Sequence, residues 1–248
     1  MSPGSDNLVR LRSKRLDLEH WLESHGLLHT VSLARHNLHE HLAGLIRRYG
    51  RSPLLDVGSG LGPFDRLCDD LRLRIVRLDA QARNTRVDII GNVQNMIQIA
   101  DASFATVLCS QVIEHVPDPP AALREMARVL EPGGVLILSA PHLSLLHEVP
   151  NDYWRFTRYG LEQLLRKASL EVLSVEPTAG IFGFAGHLFS LAWMMTAGAV
   201  PGFRRAAWRF NTAVMVGLLG RLDRRFGAAG VLPCDYVAVA RKGGSIRP

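Results

Sequence analysis

Cysteine is scarce in this sequence and a leader peptide is not evident. The three cysteines, Cys68, Cys109 and Cys234, lie far apart, are odd in number and form no Cys-x-x-Cys pair. Neither a disulfide framework nor a zinc-binding motif is therefore predicted. Residues 1–15 are polar and lack the apolar stretch of a secretory signal peptide. Together these absences predict a protein of the reducing cytoplasm.

Lysine is also scarce, so arginine supplies almost all of the positive charge. Only Lys14, Lys167 and Lys242 are lysines among 29 basic residues, which outnumber the 23 acidic residues and give a formal net charge of +6. Such a balance suits an anionic membrane, an acidic substrate or a nucleic acid, and selects none of them alone. The 248 residues are 47% hydrophobic and 21% charged, without internal repeats, which excludes solenoids and wholesale disorder.

Short apolar runs alternate with helical patterns from Pro53 onwards. Seven such runs cover Leu54–Val57, Ile75–Leu78, Val87–Ile90, Ala105–Ser110, Val135–Ala140, Leu170–Val175 and Tyr236–Ala240. Because the strands of a parallel sheet are buried on both faces, continuous apolar runs between helices are typical of such a sheet. The pattern therefore predicts a doubly wound α/β domain, with helices capped by Asp118 and Thr157.

Further helical patterns flank and interrupt this domain. Two N-terminal helices are predicted, at Asn7–Glu23 and Val31–Tyr49. The predicted organisation is an N-terminal helical segment (residues 1–50), a cofactor-binding domain (51–177 and 234–242) and a helical insertion (178–233). The second helix carries His36, His39 and His41, but a third ligand at a recognisable spacing is lacking, so no metal site is predicted.

The most informative stretch joins the first strand to its helix. Asp56-Val57-Gly58-Ser59-Gly60-Leu61-Gly62 has three glycines at alternate positions, where the backbone can take a positive φ and approach a ligand. The lysine of a phosphate-binding loop is absent, and the spacing differs from the dinucleotide fingerprint. Asp56 suits a cationic ligand, and Asp79, nineteen residues after Gly60, can accept hydrogen bonds from both hydroxyls of a ribose. The alternative is a tight turn with surface aspartates.

This loop resembles motif I of class I S-adenosylmethionine-dependent methyltransferases, in particular the type 11 group. The likeness continues through Gly91-Asn92-Val93, Asp101-Ala102-Ser103-Phe104, Gln111-Val112-Ile113-Glu114-His115-Val116 and Arg128-Val129-Leu130-Glu131-Pro132-Gly133-Gly134. It covers residues 54–177 and a last strand at 235–241. The resemblance implies a Rossmann-like seven-stranded sheet with an antiparallel last strand, and S-adenosylmethionine as the cofactor.

The resemblance also implies which residues hold the cofactor. Its methionine portion would lie against Asp56, Gly58, Ser59, Gly60 and Gly62, its ribose on Asp79, and its adenine beside Ala80, Asn92 and Val93. Asn92 stands where the family often has an aspartate, and its amide oxygen can accept the same hydrogen bond from the adenine amino group. Gln111 would line the site near the sulfonium.

Methyl transfer to a hydroxyl also needs a group that removes the hydroxyl proton. Histidine can do this near neutral pH, and open α/β sheets bind ligands at the carboxyl ends of their strands. His142, after the fifth strand, and His115, after the fourth, are the candidate catalytic bases, with a structural role as the alternative for each. The candidate substrate-binding residues, for which packing is the alternative, are His147, Tyr153, Trp154 and Arg155.

The insertion contains Ile181–Val200, twenty residues without formal charge unless His187 is protonated. This run is long enough to cross a bilayer, but the strand after it must return to the same sheet and hence to the same side of the membrane. Six arginines follow between Arg204 and Arg225, offset only by Asp223. Interfacial helices on an anionic membrane are therefore favoured, and a lid or a homodimer face is the alternative.

Together these features predict an enzyme that methylates a small molecule, through oxygen on an apolar, lipid-linked or natural-product acceptor. The alternative from another class is a non-catalytic cofactor-binding or membrane-associated interaction protein. A nucleic-acid substrate is not expected, because the arginines cluster beside apolar runs and no Asn-Pro-Pro-Tyr-type motif is present. The expected location is the cytoplasm, peripheral at the inner membrane surface.

Overall fold

The computed structural model describes residues 21–22, 27–81, 86–200, 202–226, 230 and 232–244. Every site residue predicted from the sequence lies within these ranges. The helix predicted at Asn7–Glu23 lies outside them except for residues 21–22, which are helical.

Seven strands form one mixed sheet in the order β3-β2-β1-β4-β5-β7-β6. Strands β1 to β5 pair in parallel, and β7 is antiparallel to β5. The predicted Rossmann-like α/β fold with an antiparallel last strand is therefore confirmed. The strands are β1 (Leu54–Val57), β2 (Ile75–Asp79), β3 (Ile89–Ile90), β4 (Phe104–Ser110), β5 (Leu130–Pro141), β6 (Leu170–Thr178) and β7 (Asp235–Lys242).

Helices connect the strands and build the insertion. The α-helices are α1 (Leu33–Tyr49), α2 (Asp65–Asp70), α3 (Pro119–Val129), α4 (Arg158–Lys167), α5 (Ile181–Thr196), α6 (Arg204–Asn211) and α7 (Leu219–Phe226). A π-helix (Thr212–Leu218) joins α6 to α7, and short 3-10 helices lie at Leu28–Thr30, Ile113–His115 and Ala197–Ala199.

Two predicted N-caps set the helices that follow the ends of β4 and β5. Asp118 Oδ1 accepts the N–H of Ala121 at 3.0 Å at the start of α3, and Thr157 Oγ1 accepts the N–H of Gly160 at 3.1 Å at the start of α4. Each cap satisfies a helix N–H group that would otherwise lack a partner. The loops that precede these caps, 111–117 and 142–156, therefore emerge at the carboxyl ends of β4 and β5.

Strand β5 begins five residues earlier than the sequence predicted. Helix α3 ends at Val129, and Leu130 already pairs with Phe104. The pairing then shifts, so that Thr106 aligns with Val135. The shift absorbs three extra residues on β5, with Gly133 at a φ of +78°. Residues 130–134, which precede the predicted run Val135–Ala140, are consequently an irregular part of the strand.

The chain contacts divide the protein into two compact units. Among the described residues, one unit contains those up to Glu40 and those of the range Thr178–Cys234, and the other contains those of the range His41–Pro177 and those from Asp235 onwards. The sequence predicts residues 1–50 as a separate N-terminal helical segment. The contacts group the first turns of α1 with the insertion because Ala34 packs with Ala179 and Cys234. The sheet and the predicted site residues lie in the second unit.

The insertion has a specific internal anchor. Asp223, on α7, is buried and accepts the N–H of Gly180 at 2.9 Å and the N–H of Gly183 at 3.1 Å. Its carboxylate thereby caps α5 from another helix, where a negative charge also complements the helix dipole. The only acidic residue of segment 178–234 is therefore used inside the fold, and its charge is withdrawn from the arginine-rich surface.

Candidate active site

The glycine loop leaves β1 in a conformation that requires glycine. Gly58, Gly60 and Gly62 have φ values of +67°, +53° and +70°, which other residues adopt only with strain. The N–H groups of Gly58 and Ser59 donate to the carbonyl of Leu78, at 2.7 and 3.2 Å. The loop is therefore tied to the end of β2.

Asp79 ends β2 beside this loop. It is buried, its Oδ2 accepts the N–H of Gly60 at 2.9 Å, and its Oδ1 accepts the N–H of Gln81 at 3.1 Å. Gly60 and Asp79, nineteen residues apart in the sequence, are thus in direct contact. The carboxylate is therefore fixed at the carboxyl end of β2 beside the glycine loop, and its contact with a ribose stays a prediction.

Asp56 and Ser59 present buried polar atoms at the same loop. Within the part of the chain that the structure describes, Asp56 Oδ2 and Ser59 Oγ have no hydrogen-bond partner. Burial, helped by the negative charges of Asp65 and Asp79 and opposed by Arg77, raises the pKa of Asp56 to about 7. A buried carboxylate of this kind favours a ligand that brings positive charge and hydrogen-bond donors.

The residues predicted to surround the adenine differ in their exposure to solvent. Ala80 is exposed directly after β2, whereas Val93 is buried in the main core. Asn92 is exposed, and its Oδ1 accepts the N–H and the Nε2–H of Gln94 at 2.9 and 3.2 Å. An adenine amino group would therefore share this oxygen with Gln94 or displace the Gln94 side chain.

Gln111 starts the turn after β4 with a φ of +55°, a conformation that is uncommon outside glycine and often marks functional sites. Its Nε2 donates to Ser139 Oγ at 3.3 Å, and its N–H donates to the carbonyl of Ser139 at 3.2 Å. The turn is thus fixed to β5, which holds the ends of the two strands together.

His142 follows the last residue of β5 and has a defined tautomer. Its Nδ1 lies 2.9 Å from the carbonyl of Phe156. Because a carbonyl can only accept, Nδ1 carries the proton and Nε2 has a lone pair. The ring lies 5.5 Å from that of Tyr236. His142 therefore has the form that a proton acceptor needs.

His115 and His147 lie together beyond β4. Their rings are 4.8 Å apart and nearly perpendicular. Nδ1 of His115 donates to the carbonyl of Asn151 at 2.7 Å, and Nδ1 of His147 donates to that of Leu145 at 3.2 Å. Burial lowers the pKa of His147, so this ring is neutral near pH 7. The structure thus groups one predicted base with one predicted substrate contact.

An ion pair holds the loop that carries His147. Arg155 binds both carboxylate oxygens of Asp152, at 2.6 and 2.8 Å, and also donates to the carbonyls of Ser144, Leu145 and Trp154. The Arg155 guanidinium holds the pKa of Asp152 well below its usual range. All five donors of Arg155 are therefore engaged inside the loop, and the side chain organises the loop around its neighbours.

The two predicted substrate-binding aromatics are partly exposed and locally anchored. The Tyr153 hydroxyl donates to Asn151 Oδ1 at 3.0 Å, and Trp154 Nε1 donates to the carbonyl of Val116 at 2.9 Å. Trp154 also lines a cavity of about 340 Å³ together with Pro117 and other apolar residues. The lining residues of this cavity do not include His115 or His147.

Glu114 is the site residue that the sequence reasoning missed. It is fully buried, and its carboxylate has no hydrogen-bond partner among the residues described. Burial raises its pKa to about 8, and Asp235 adds to this rise. Its Oε1 lies 3.7 Å from Nε2 of His115. The available signal was the Glu114-His115 pair, of which only the histidine was given a role.

A family model described as a methyltransferase domain matches residues 34–175, more than half of the chain. The chain belongs to this methyltransferase family. The match spans the glycine loop, Asp79, the Glu114–His115 turn and the loop that carries His142 and His147.

Curated proteins similar in sequence are also described as methyltransferases. A protein of Mycolicibacterium smegmatis, described as an S-adenosylmethionine-dependent methyltransferase, is 31% identical over 153 residues, 57% of this chain and 60% of the relative. The ubiquinone biosynthesis O-methyltransferase of Xanthomonas oryzae pv. oryzae (strain PXO99A) is 31% identical over 99 residues, 35% of this chain and 41% of the relative. The malonyl-[acyl-carrier protein] O-methyltransferase of Serratia marcescens is 27% identical over 139 residues, 52% of this chain and 54% of the relative. The methyltransferase thus spans 60% or less of the length of these curated relatives.

Solved structures share the fold at low sequence identity. The [4+2]-cyclase SpnF matches with a TM-score of 0.57 at 18% identity, covering 83% of this chain and 82% of that one. A phosphoethanolamine N-methyltransferase of Haemonchus contortus matches with a TM-score of 0.55 at 16% identity, covering 82% and 52%. These structures agree with the fold of the methyltransferase family, whose membership the family model shows, and the cofactor that this family resemblance implies is S-adenosylmethionine.

The residues of the glycine loop fit this cofactor. Its methionine portion carries an ammonium and a sulfonium, and the buried Asp56 carboxylate and Ser59 hydroxyl are the atoms that lack partners within the described ranges. The glycines carry no Cβ that would hinder a close ligand, while the N–H groups of Gly58, Ser59, Gly60 and Gly62 are bonded within the protein. Asp79 offers a fixed carboxylate beside the loop. This donor and acceptor set suits a cationic nucleoside better than a pyrophosphate.

Proposed function

We propose that this methyltransferase transfers a methyl group to a hydroxyl oxygen of an apolar or lipid-linked small molecule. The observation that carries the proposal is the placement of a base on the cofactor's edge of the sheet. His142 follows β5, directly beside the strand whose end carries Gln111, and its Nε2 has a free lone pair. In open α/β sheets ligands bind at this edge.

Each residue then has a defined task. When bound, S-adenosylmethionine supplies an electrophilic methyl group on sulfur. Asp56 and Ser59 bind the cationic methionine portion, and Asp79 accepts hydrogen bonds from the ribose. Gln111, fixed to β5 through Ser139, orients the turn beside the reacting atoms. The Nε2 of His142 takes the proton that the acceptor hydroxyl loses.

The oxygen acceptor is supported by the descriptions of the relatives. Two of them, from Xanthomonas oryzae and Serratia marcescens, are described as O-methyltransferases, and one of these belongs to ubiquinone biosynthesis. Methylation of a hydroxyl is also consistent with a histidine base, because a hydroxyl must lose a proton whereas a thioether or tertiary amine need not. We place the reaction in the cytoplasm, at the inner membrane surface.

The proposal is tested by the position of the transferred methyl group. The protein is incubated with S-adenosylmethionine and a panel of phenols, catechols and prenylated or acyl-linked hydroxy compounds, and release of S-adenosylhomocysteine is measured. We expect release that depends on a hydroxyl acceptor, and a product whose methyl is on oxygen by NMR. A methyl found on nitrogen or carbon would contradict the O-directed proposal. Saturable cofactor binding without turnover on any acceptor class would favour the non-catalytic alternative.

We further propose that the insertion rests on an anionic membrane. The segment Ile181–Ala199 is the one helical stretch in the described residues whose length and composition would suffice to cross a bilayer. However, β6 before the insertion and β7 after it are neighbours in one sheet, so a single crossing is excluded. Contact with one leaflet keeps both strands on the same side.

Exposed apolar and basic side chains support this contact. Phe189, Phe203, Phe210 and Phe226 are between 46% and 64% exposed, with Phe189 at 63%. A lid that covers Phe189 within the same chain is not formed by the described residues, whereas a homodimer face would leave Phe189 exposed in the single chain just as a membrane face does. Five arginines are exposed on the same unit: Arg205, Arg209, Arg221, Arg224 and Arg225. Arg204 differs, because its Nε donates to the carbonyl of Gly198 at 2.9 Å.

Cosedimentation with vesicles tests the membrane contact. We expect binding to phosphatidylcholine vesicles that contain phosphatidylglycerol, with an affinity that falls with salt but does not vanish, because the apolar part is unscreened. Replacing Arg205 and Arg209 by serine should weaken binding about tenfold or more, since each arginine contributes about 1 kcal/mol at an anionic surface. The matched control replaces the exposed Arg66 and Arg124 of the other unit.

Two outcomes would contradict the membrane contact. The first is a folded protein that fails to cosediment at low salt, and the second is equal weakening in the control variant. A dimer observed by analytical ultracentrifugation in that case, and lost on Phe189→Ser, would assign the same face to a homodimer.

A further inference from the structure

Glu114, His115 and His147 bring three metal-ligating side chains to one point. One ligand atom from each residue lies within 4.8 Å of the others. Glu114 and His115 lie on the 3-10 helix after β4, and His147 comes from the loop after β5. The group therefore combines the two turns at the carboxyl edge of the sheet.

Both imidazoles are oriented as they are in metal sites. Nδ1 of His115 donates to the carbonyl of Asn151, and Nδ1 of His147 donates to the carbonyl of Leu145. Since a carbonyl fixes the proton on Nδ1, Nε2 of each ring keeps its lone pair. Metal-binding histidines almost always donate their other ring N–H to a carbonyl or carboxylate in this way.

The Glu114 carboxylate calls for a positive partner. It is fully buried, and within the described ranges neither oxygen accepts a hydrogen bond. A buried carboxyl group whose two oxygens both lack a partner is unfavourable, because it has lost the hydrogen bonds that water would supply. Nε2 of His115 lies 3.7 Å from Oε1 of Glu114. In the neutral ring this nitrogen has no proton to donate, because the proton is on Nδ1, which bonds the carbonyl of Asn151. A cation between them would satisfy both groups.

We propose that Glu114, His115 and His147 form a binding site for a first-row divalent transition metal ion such as Zn²⁺. Two imidazoles and one carboxylate suit Zn²⁺ and its neighbours, whereas Mg²⁺ and Ca²⁺ prefer oxygen ligands. Ligands at about 2.1 Å from a tetrahedral ion lie roughly 3.4 Å apart. Ligand atoms that lie within 4.8 Å of one another would therefore approach by up to about 1.4 Å on binding. Three protein ligands would leave the fourth position of a tetrahedral ion for an oxygen ligand.

This site gives His115 and His147 a different role from those that the sequence suggested. As a ligand, His115 is no longer available as a base, which leaves proton removal to His142. The metal would bind the acceptor oxygen and favour its deprotonation, a role that rests on the proposed function. Metal binding itself does not depend on that function.

Binding of the metal alone tests the site. The full chain is treated with chelator, dialysed, and titrated with Zn²⁺ by calorimetry and with Co²⁺ by visible absorption, without cofactor or acceptor. We expect one equivalent to bind, with the absorption of a four- or five-coordinate Co²⁺ ion. Glu114→Gln and His147→Ala should each weaken binding at least tenfold. The matched control, His41→Ala, removes a histidine that lies 3.4 Å from the single carboxylate of Glu176 and should leave binding unchanged.

The result that overturns the site is the absence of stoichiometric binding to the folded protein, or equal affinity in all four proteins. Circular dichroism confirms that each variant is folded. If Glu114→Gln fails to fold, His147→Ala alone decides, because this half-exposed loop residue is not part of the core. Since neither cofactor nor acceptor is present, failure of the metal site is distinguishable from failure of the methyl-transfer proposal.

Discussion

Replacing His142 by alanine is expected to lower kcat for hydroxyl methylation at least about a hundredfold, with S-adenosylmethionine affinity unchanged. The physical reason is that a positioned base contributes about a hundredfold or more to a reaction that must release a proton. His142 Nε2 has its lone pair because Nδ1 donates to the carbonyl of Phe156. The loss therefore appears in kcat, measured with the hydroxyl acceptor identified in the methylation assay.

A second substitution separates the base from a structural role of His142. His142→Asn keeps an N–H donor for the Phe156 carbonyl but has no basic nitrogen, so it should lose as much activity as His142→Ala. Recovery of most of the activity in His142→Asn would show that the ring only holds the loop. A kcat within about threefold of the wild type in both variants would remove His142 from the reaction.

Replacing Asp79 by alanine is expected to weaken S-adenosylmethionine binding by about tenfold to a hundredfold. Hydrogen bonds to a charged group contribute about 1.5–3 kcal/mol, and Asp79 would make them to the ribose. The same carboxylate also accepts the N–H of Gly60 at 2.9 Å, so its removal loosens the glycine loop as well. The measurement is calorimetric titration of the cofactor.

Two controls accompany this substitution. Asp79→Asn keeps an acceptor oxygen without the charge and should give an intermediate affinity. Asp70→Ala changes an exposed aspartate at the end of α2 and should have no effect. Unchanged cofactor affinity in a folded Asp79→Ala protein would place the ribose elsewhere.

The geometry of the glycine loop could be predicted from the sequence because it follows local backbone rules, whereas its contact with the cofactor stays a prediction. Three glycines at alternate positions demanded positive φ values, and Gly58, Gly60 and Gly62 have them. Asp79 could be placed because parallel strands of known order bring the ends of β1 and β2 together. The caps at Asp118 and Thr157 followed from residue type alone.

The part of the site proposed to bind the methyl acceptor could not be predicted in the same way, because it depends on side-chain contacts between different loops. Arg155 looked like a substrate contact, yet its donors are engaged by Asp152 and by loop carbonyls. Glu114 was missed because its significance lies in complete burial beside His115, and burial of a charged residue in a turn is not visible in a sequence. The early start of β5 was missed for a related reason, since a register shift leaves no periodic signal.

We propose that the glycine loop binds S-adenosylmethionine with its cationic portion on Asp56. The pKa of Asp56 in the free protein is about 7, so below that pH the carboxyl is neutral and must release its proton before it can pair with a cation. Affinity should therefore rise with pH, by roughly eightfold between about pH 6 and about pH 7.5. Asp56→Asn, which has no titrating group, should bind more weakly and equally at both pH values. Calorimetric titration of S-adenosylmethionine into the two proteins at both pH values measures this directly. We expect saturable 1:1 binding with that pH dependence in the wild type only. The absence of saturable binding, or the same affinity at both pH values in the wild type, would contradict the proposal.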